Sequence, residues 1–206
     1  MPIIFFDMDK TLTPEISAVF LGTQLGKEAE VLELEELVGS KKISDEKFIV
    51  DLGQLARGYS VQQLREFYEK MPLIPGIADT MKAIKEKKFK SAIITSGVGL
   101  FSQFLCEDYG FDRYYANTTL MQGSLIQGFS APYIGRNEKP DFVYQFCNQE
   151  QIEPKACFAV GDSPSDIPMF RSVGTSIAIN CPELLREEAT YYINPCTRLT
   201  QILEFL

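Results

Sequence analysis

Short, unbroken apolar runs recur along this chain, with helix-like stretches between them. The runs are Ile3-Ile4-Phe5-Phe6, Ser91–Thr95, Ala156–Val160 and Ser176–Ile179. A run that is apolar at consecutive positions reads as a strand covered on both faces. Between the runs lie Ile77–Lys87, which follows Pro75-Gly76, then Leu100–Tyr109, which stops at Gly110, and Pro140–Gln149, which sets Phe142, Val143 and Phe146 on one side. Strands alternating with helices demand right-handed crossovers and a parallel α/β sheet.

The stretch from about Thr13 to Pro72 breaks this alternation. It holds amphipathic patterns over Val31–Val38, Asp45–Leu55 and Val61–Met71 with no strand between them. The expectation is a helical insertion after the first strand: a core of residues 1–13 and 73–206, and a cap of residues 14–72. Gly22–Lys27 reads as a turn between cap helices, Asn117–Ile134 as a β-hairpin or flap, and Thr197–Leu206 as a C-terminal helix. The chain of 206 residues, 45% hydrophobic, is enough for one core with such an insertion.

Composition removes whole classes of chemistry. The chain has no histidine, which excludes Ser-His-Asp and Cys-His mechanisms and His-ligated zinc. Its net charge of −8 argues against a broad grip on nucleic acid or an anionic membrane. The five widely spaced cysteines suit reduced thiols in the cytoplasm. Cys181 and Arg186 stand too close for a cysteine-phosphatase loop, so Cys181 is read as structural. No transmembrane or export segment is visible. Asn117-Thr118-Thr119 matches a glycosylation acceptor and is read as chance.

Polar clusters follow the strands, so they can meet at the sheet edge where open α/β folds bind ligands. Asp7-Met8-Asp9-Lys10-Thr11 offers a nucleophile and an acid/base, or a solvated turn. Thr95-Ser96-Gly97 offers a hydroxyl and backbone amides for an anion, or an ordinary helix cap. Lys139-Pro140 precedes a helix. Gly161-Asp162-Ser163-Pro164-Ser165-Asp166 offers carboxylates suited to Mg²⁺, or a capped loop with incidental acids.

Taken in order, D-x-D-x-T, S-G, Lys and G-D-x-x-x-D resemble the haloacid dehalogenase-like hydrolase superfamily over the whole chain. Pro72–Gly76, Phe111–Asn117, Gly123–Gly128 and Ala159–Phe170 resemble its phosphoserine phosphatase-like branch. The resemblance implies a Rossmann-like parallel sheet flanked by helices, with a small helical cap. It implies a Mg²⁺-dependent phosphatase acting on a small phosphorylated metabolite. Asp7 would attack phosphorus, and Asp9 would protonate the leaving alcohol and then activate water. Asp7, Asp162 and the Asp9 backbone carbonyl would hold the metal, with Asp166 orienting its shell. Met8, Ser96, Gly97 and Lys139 would bind the phosphoryl oxygens.

The chain departs from that branch where the amino acid would be recognised. Ile16 stands where the branch has a substrate-binding Glu, with Glu15 adjacent. Leu52 or Gly53 falls near the position of its carboxylate-binding Arg, and Arg57 is the nearest arginine. A phosphoserine phosphatase proper would have to use Glu15 and Arg57. A phosphotransferase to another alcohol would use the same motif residues. A dehalogenase needs no acid at Asp9, a receiver module is shorter and lacks a cap, and a non-catalytic binding protein would normally have lost Asp7 or Asp9.

Overall fold

Strand β1 (Ile3–Phe6) occupies the middle of the sheet, and its four residues are fully buried. The computed structural model describes residues 1–135 and 137–206. After β1 come four helices, α1 (Ser17–Leu25), α2 (Glu28–Gly39), α3 (Asp45–Leu55) and α4 (Val61–Tyr68). Then follow α5 (Ile77–Glu86), β2 (Lys90–Ile94), α6 (Gly99–Tyr109) and β3 (Arg113–Tyr115). A hairpin of β4 (Thr118–Gln122) and β5 (Leu125–Ser130) leads to α7 (Lys139–Glu150), β6 (Phe158–Gly161), α8 (Ile167–Ser172), β7 (Thr175–Ile179) and β8 (Tyr191–Ile193).

The six sheet strands run in the order β3-β2-β1-β6-β7-β8, every pair parallel. Ile4 lies opposite Ser91 on one side and Phe158 on the other. Side chains alternate along β1, so Ile4 and Phe6 join the core under α5 and α6, while Ile3 and Phe5 join the core under α7 and α8. Both faces are covered, which is why the run is apolar throughout. The chain winds outward from β1 through β2 and β3, then returns to β6 and winds the other way. The strand order therefore reverses between β1 and β6, and a crevice opens at their carboxyl ends.

The helices α1–α4 are tied to the rest of the molecule at several places, among them α4 and the turn after α3. Arg65 of α4 pairs with Asp108 of α6, and its guanidinium lies 4.8 Å from the Phe104 ring centre. The hairpin grips α3 and the turn after it. Gly58 N–H donates to the Ile126 carbonyl at 2.9 Å, and Ile126 N–H donates to the Tyr59 carbonyl at 2.8 Å.

Several expectations change in detail. The stretch after β1 carries four helices, not three. In α1, Ser17, Ala18, Phe20, Leu21, Gly22 and Leu25 are all buried, and apolar and small residues fill most of its nine positions, so no charged face marks its period. Gly22 belongs to that helix, and the expected Gly22–Lys27 turn shrinks to Gly26-Lys27, with Gly26 left-handed at φ 69°. The edge strands β3 and β8 have three residues each, too short for a pattern to show. Pro154–Ala156 forms a 3₁₀ turn, so β6 starts at Phe158. The C-terminal helix is 3₁₀, over Leu199–Phe205. Among the described residues no helix is long and apolar enough to cross a membrane.

Helix α3 and strand β5 approach through a glycine. A Cβ on Gly53 would overlap the Phe129 amide nitrogen and lie 2.8 Å from the Gly128 carbonyl carbon. Alanine favours a helix interior by about 1 kcal/mol over glycine, but a backbone clash in a packed contact costs about 1–3 kcal/mol. Gly53→Ala should therefore lower the urea midpoint. An equal or higher midpoint would mean that α3 and β5 separate without cost.

Candidate active site

Asp7 follows β1 directly, and its N–H extends the ladder by donating to the Val160 carbonyl at 2.9 Å. A tight turn then forms around the Met8 carbonyl, which accepts from the N–H groups of Thr11 (3.2 Å), Leu12 (2.8 Å) and Thr13 (3.1 Å). Lys10 takes the left-handed conformation, at φ 58°, to close it. The turn brings Asp7 and Asp9 to the same pocket. Asp9 Oδ1 accepts from the Ser17 N–H at 3.0 Å at the start of α1, so the helical insertion itself positions this carboxylate.

Asp162 and Asp166 enter from the loop after β6. Asp162 Oδ1 accepts from Thr11 Oγ1 at 3.2 Å, joining the two loops. Asp166 Oδ2 accepts from the N–H groups of Asp162 (3.1 Å) and Ser163 (3.0 Å) and from Ser163 Oγ (3.2 Å). Its Oδ1 accepts from Lys139 Nζ at 2.6 Å. Both oxygens are thus engaged by the protein, and Asp166 is fully buried. Lys139, at the start of α7, also lies 3.0 Å from Asp7 Oδ1.

The cluster carries more negative charge than its lysine offsets. Burial pushes Asp7 well above the usual carboxylate range, although Lys139 opposes it, with Asp166 and Asp162 adding to the rise. Burial and the Asp166 charge push Asp162 up to about 7. Burial raises Asp9 to about 6 against the opposing hydrogen bonds from Ser17. A carboxyl poised there can hold a proton near neutral pH and release it. Lys139 is held charged by Asp166 and Asp7 against the cost of its burial.

Carboxylate oxygens of Asp7, Asp162 and Asp166 lie within 4.8 Å of one another, and all three residues are buried. Hard oxygen donors with surplus negative charge fit a divalent cation. Since both oxygens of Asp166 are occupied, Asp7 and Asp162 are the carboxylates left to face it.

A family model described as haloacid dehalogenase-like hydrolase matches residues 4–171. The chain belongs to that family. It is 28% identical over 188 residues to a phosphoserine phosphatase of Archaeoglobus fulgidus, covering 91% of this chain and 55% of that protein. It is 23% identical over 205 residues to a phosphoserine phosphatase of Methanocaldococcus jannaschii, covering 99% of this chain and 97% of that one. The fold is similar to a structure described as a phospho-aspartyl intermediate analogue of phosphoserine phosphatase, with TM-score 0.84, 23% identity, and coverage of 100% of this chain and 98% of the other. It is also similar to a HAD family hydrolase of Salmonella enterica serovar Typhi, with TM-score 0.89, 25% identity, and coverage of 98% and 69%.

In this haloacid dehalogenase-like chain the pocket is lined by Asp7, Asp9, Ser96, Gly97 and Asp162, and by Ile16 from the end of the first loop. Met8 and Lys139 are buried behind them. The Gly97 N–H, expected to meet a phosphoryl oxygen, donates to Thr95 Oγ1 at 2.9 Å, because a hydroxyl two residues back closes the short turn. Glu15 and Arg57 are exposed and do not line the pocket. Side chains at successive positions of an extended segment point apart, so Ile16 faces in where Glu15 faces out. Arg57 follows the last turn of α3, beyond the segment of that helix that lines the pocket.

Other residues at the site were given no role there by the sequence. Asn117 is buried, with its amide donating to the Gly97 carbonyl at 2.6 Å and its Oδ1 accepting from Gly99 N–H at 3.3 Å. It braces the Ser96-Gly97 turn. Glu35 of α2 and Asp45 at the start of α3 also line the pocket. Both sit in acidic helical patterns indistinguishable from a solvated face. Burial and the Asp9 charge push Glu35 up to about 7.

These raised groups set a pH dependence. Asp9 and Asp162 bind protons more tightly in the folded chain than when unfolded, so the native state carries extra protons between about pH 4 and about pH 7. Their contribution to stability therefore grows as pH falls through that window. Metal-free protein should melt at least about 5 °C higher near pH 5 than near pH 7.5, and the difference should shrink in Asp162→Asn. An equal pH dependence in that variant would mean the cluster carries no such strain.

Proposed function

We propose that this haloacid dehalogenase-like chain is a Mg²⁺-dependent phosphatase that hydrolyses the phosphate monoester of a small metabolite through an aspartyl-phosphate on Asp7. The observation that carries this is the placing of two carboxyl groups with different partners at one pocket: Asp7, 3.0 Å from the Lys139 ammonium, and Asp9, which accepts from the neutral Ser17 N–H. One can act as a nucleophile while the other holds a proton. Residues 14–72 act as a cap over a core of residues 1–13 and 73–206. A pocket whose lining includes Glu35, Phe48 and Ile49 from the helices as well as Asp7 and Ser96 supports that division. The five cysteines, all free, suit a cytoplasmic setting.

Asp7 attacks phosphorus and the ester P–O bond breaks. Asp9 passes its proton to the departing oxygen, so the alcohol leaves neutral. Asp9, now a carboxylate, takes a proton from water. The hydroxyl oxygen attacks the aspartyl-phosphate, inorganic phosphate departs and the Asp7 carboxylate returns. Ser96 and the Lys139 ammonium hold phosphoryl oxygens, and Asp166 keeps Lys139 and the Asp162 loop in place. The Asp7 and Asp162 carboxylates and the Asp9 backbone carbonyl would hold a Mg²⁺ ion, which would supply the charge that lets an anionic nucleophile meet an anionic phosphate.

Asp7→Asn should end turnover of every ester. Asp9→Asn should cost roughly 10²–10⁴-fold on alkyl esters, which leave as basic alkoxides. With p-nitrophenyl phosphate the leaving group needs no proton, so this variant should release about one nitrophenolate per site in a burst and then turn over slowly. Mass spectrometry of acid-quenched protein should place a phosphoryl group on the peptide containing Asp7. Label on a serine or cysteine would refute the assignment. Chelation should abolish hydrolysis and Mg²⁺ should restore it.

A further inference from the structure

The part of the pocket lined by Ile16 and by helices α2 and α3 has a charge pattern of its own. Ile16, Val38, Phe48 and Ile49 form apolar walls, and the acids there are Glu35 and Asp45. Among the described lining residues the one cation is Lys10, which belongs to the turn beside Asp9. Glu35 is half-buried and makes no ion pair or side-chain hydrogen bond with any described residue. A carboxylate on the leaving group would thus meet the charges of Glu35 and Asp9, with Lys10, the one cation among the described lining residues, already offsetting both. An ammonium group would meet an acceptor with no hydrogen bond or ion pair to any described residue, between apolar walls that strengthen the attraction.

We propose that this pocket selects phosphate monoesters of cationic alcohols that lack a carboxylate, amino alcohols whose ammonium group is held by Glu35. The proposal rests on the phosphatase reading and narrows its substrate. Reaction at the phosphate is unchanged: water adds to phosphorus, the alcohol leaves with a proton, and the ammonium group takes no part in bond making. Glu35 acts as a specificity-determining residue. Asp45, more exposed at the rim, adds negative potential at the entrance.

The test compares 2-aminoethyl phosphate with n-propyl phosphate, in which a methyl group replaces the ammonium, and with O-phosphoserine, which adds a carboxylate. With Mg²⁺ present, kcat/KM for the aminoethyl ester should exceed that for the propyl ester by roughly tenfold or more, the scale of a hydrogen bond between charged groups. It should also exceed that for O-phosphoserine. In Glu35→Gln the aminoethyl-to-propyl ratio should fall to near unity, and Glu35→Asp should keep part of it. A ratio that survives Glu35→Gln, as it would if Glu35 only relayed protons to Asp9 for every ester, overturns the assignment. So does a preference for O-phosphoserine. Calorimetry on Asp7→Asn with the aminoethyl and propyl esters reads the same preference without turnover. If wild-type protein hydrolyses no ester, the phosphatase reading fails, while tighter binding of the aminoethyl ester still supports the pocket's selectivity and equal binding overturns it.

Discussion

The contact of Lys139 with Asp7 and Asp166 organises the whole site. A buried ammonium needs carboxylate partners, and buried carboxylates need a cation. Lys139 lies 3.0 Å from Asp7 and 2.6 Å from Asp166, joining the end of β1, the start of α7 and the loop after β6. Asp166 in turn fixes the backbone of Asp162 and Ser163. Removing the lysine would leave acids buried with no counter-charge, so the sheet edge could not hold them together as anions. One lysine for three carboxylates also leaves the net negative charge that makes the place suitable for a divalent cation.

The helices α1–α4 and the hairpin complete this edge in a different way. The Ser17 N–H at the start of α1 holds Asp9, so the placing of that carboxylate depends on the first helix of the insertion. On the opposite side the hairpin closes on α3 at Gly53, and its backbone pairs with the α3–α4 turn. Motions that open the pocket must therefore carry the hairpin with α3 or break backbone hydrogen bonds between them. Part of the pocket lining comes from α2 and α3, so in the proposed reaction the groups that would read the leaving group lie on different elements from those that would read phosphate. Such a division lets the leaving-group end vary while the phosphate end stays the same.

Much of this was legible in the chain itself, for a definite reason. Ile3–Phe6 is apolar because β1 is covered on both faces, and the polar residue after it must lie at the strand end. The same logic places Ser96 after β2 and Asp162 after β6. These elements are local, and their periodicity depends only on which sides are buried. The short edge strands β3 and β8 were not legible, because three residues cannot display a period. Helix α1 was hidden for another reason: apolar and small residues fill most of its nine positions, so no charged face marks the period. Asn117 resembled a chance glycosylation acceptor because its partners, the backbone groups of Gly97 and Gly99, lie about twenty residues away along the chain.

Sequence alone determined the parallel sheet, the helical insertion and the set of acids at its carboxyl edge, since each follows from local hydrophobic pattern and strand ends. It also showed that Ile16 offers no charge to a substrate. Tertiary structure decided what the pattern could not reach. Lys139 faces Asp7 and Asp166 only because α7 packs against the sheet at that register. Glu15 and Arg57 lie outside the pocket, whereas Glu35 lies within it, because the packing of α2 and α3 chooses which of many acidic and basic residues turns inward. A charge on an amphipathic helix has the same local sequence whether it faces water or a substrate, so only the fold distinguishes the two.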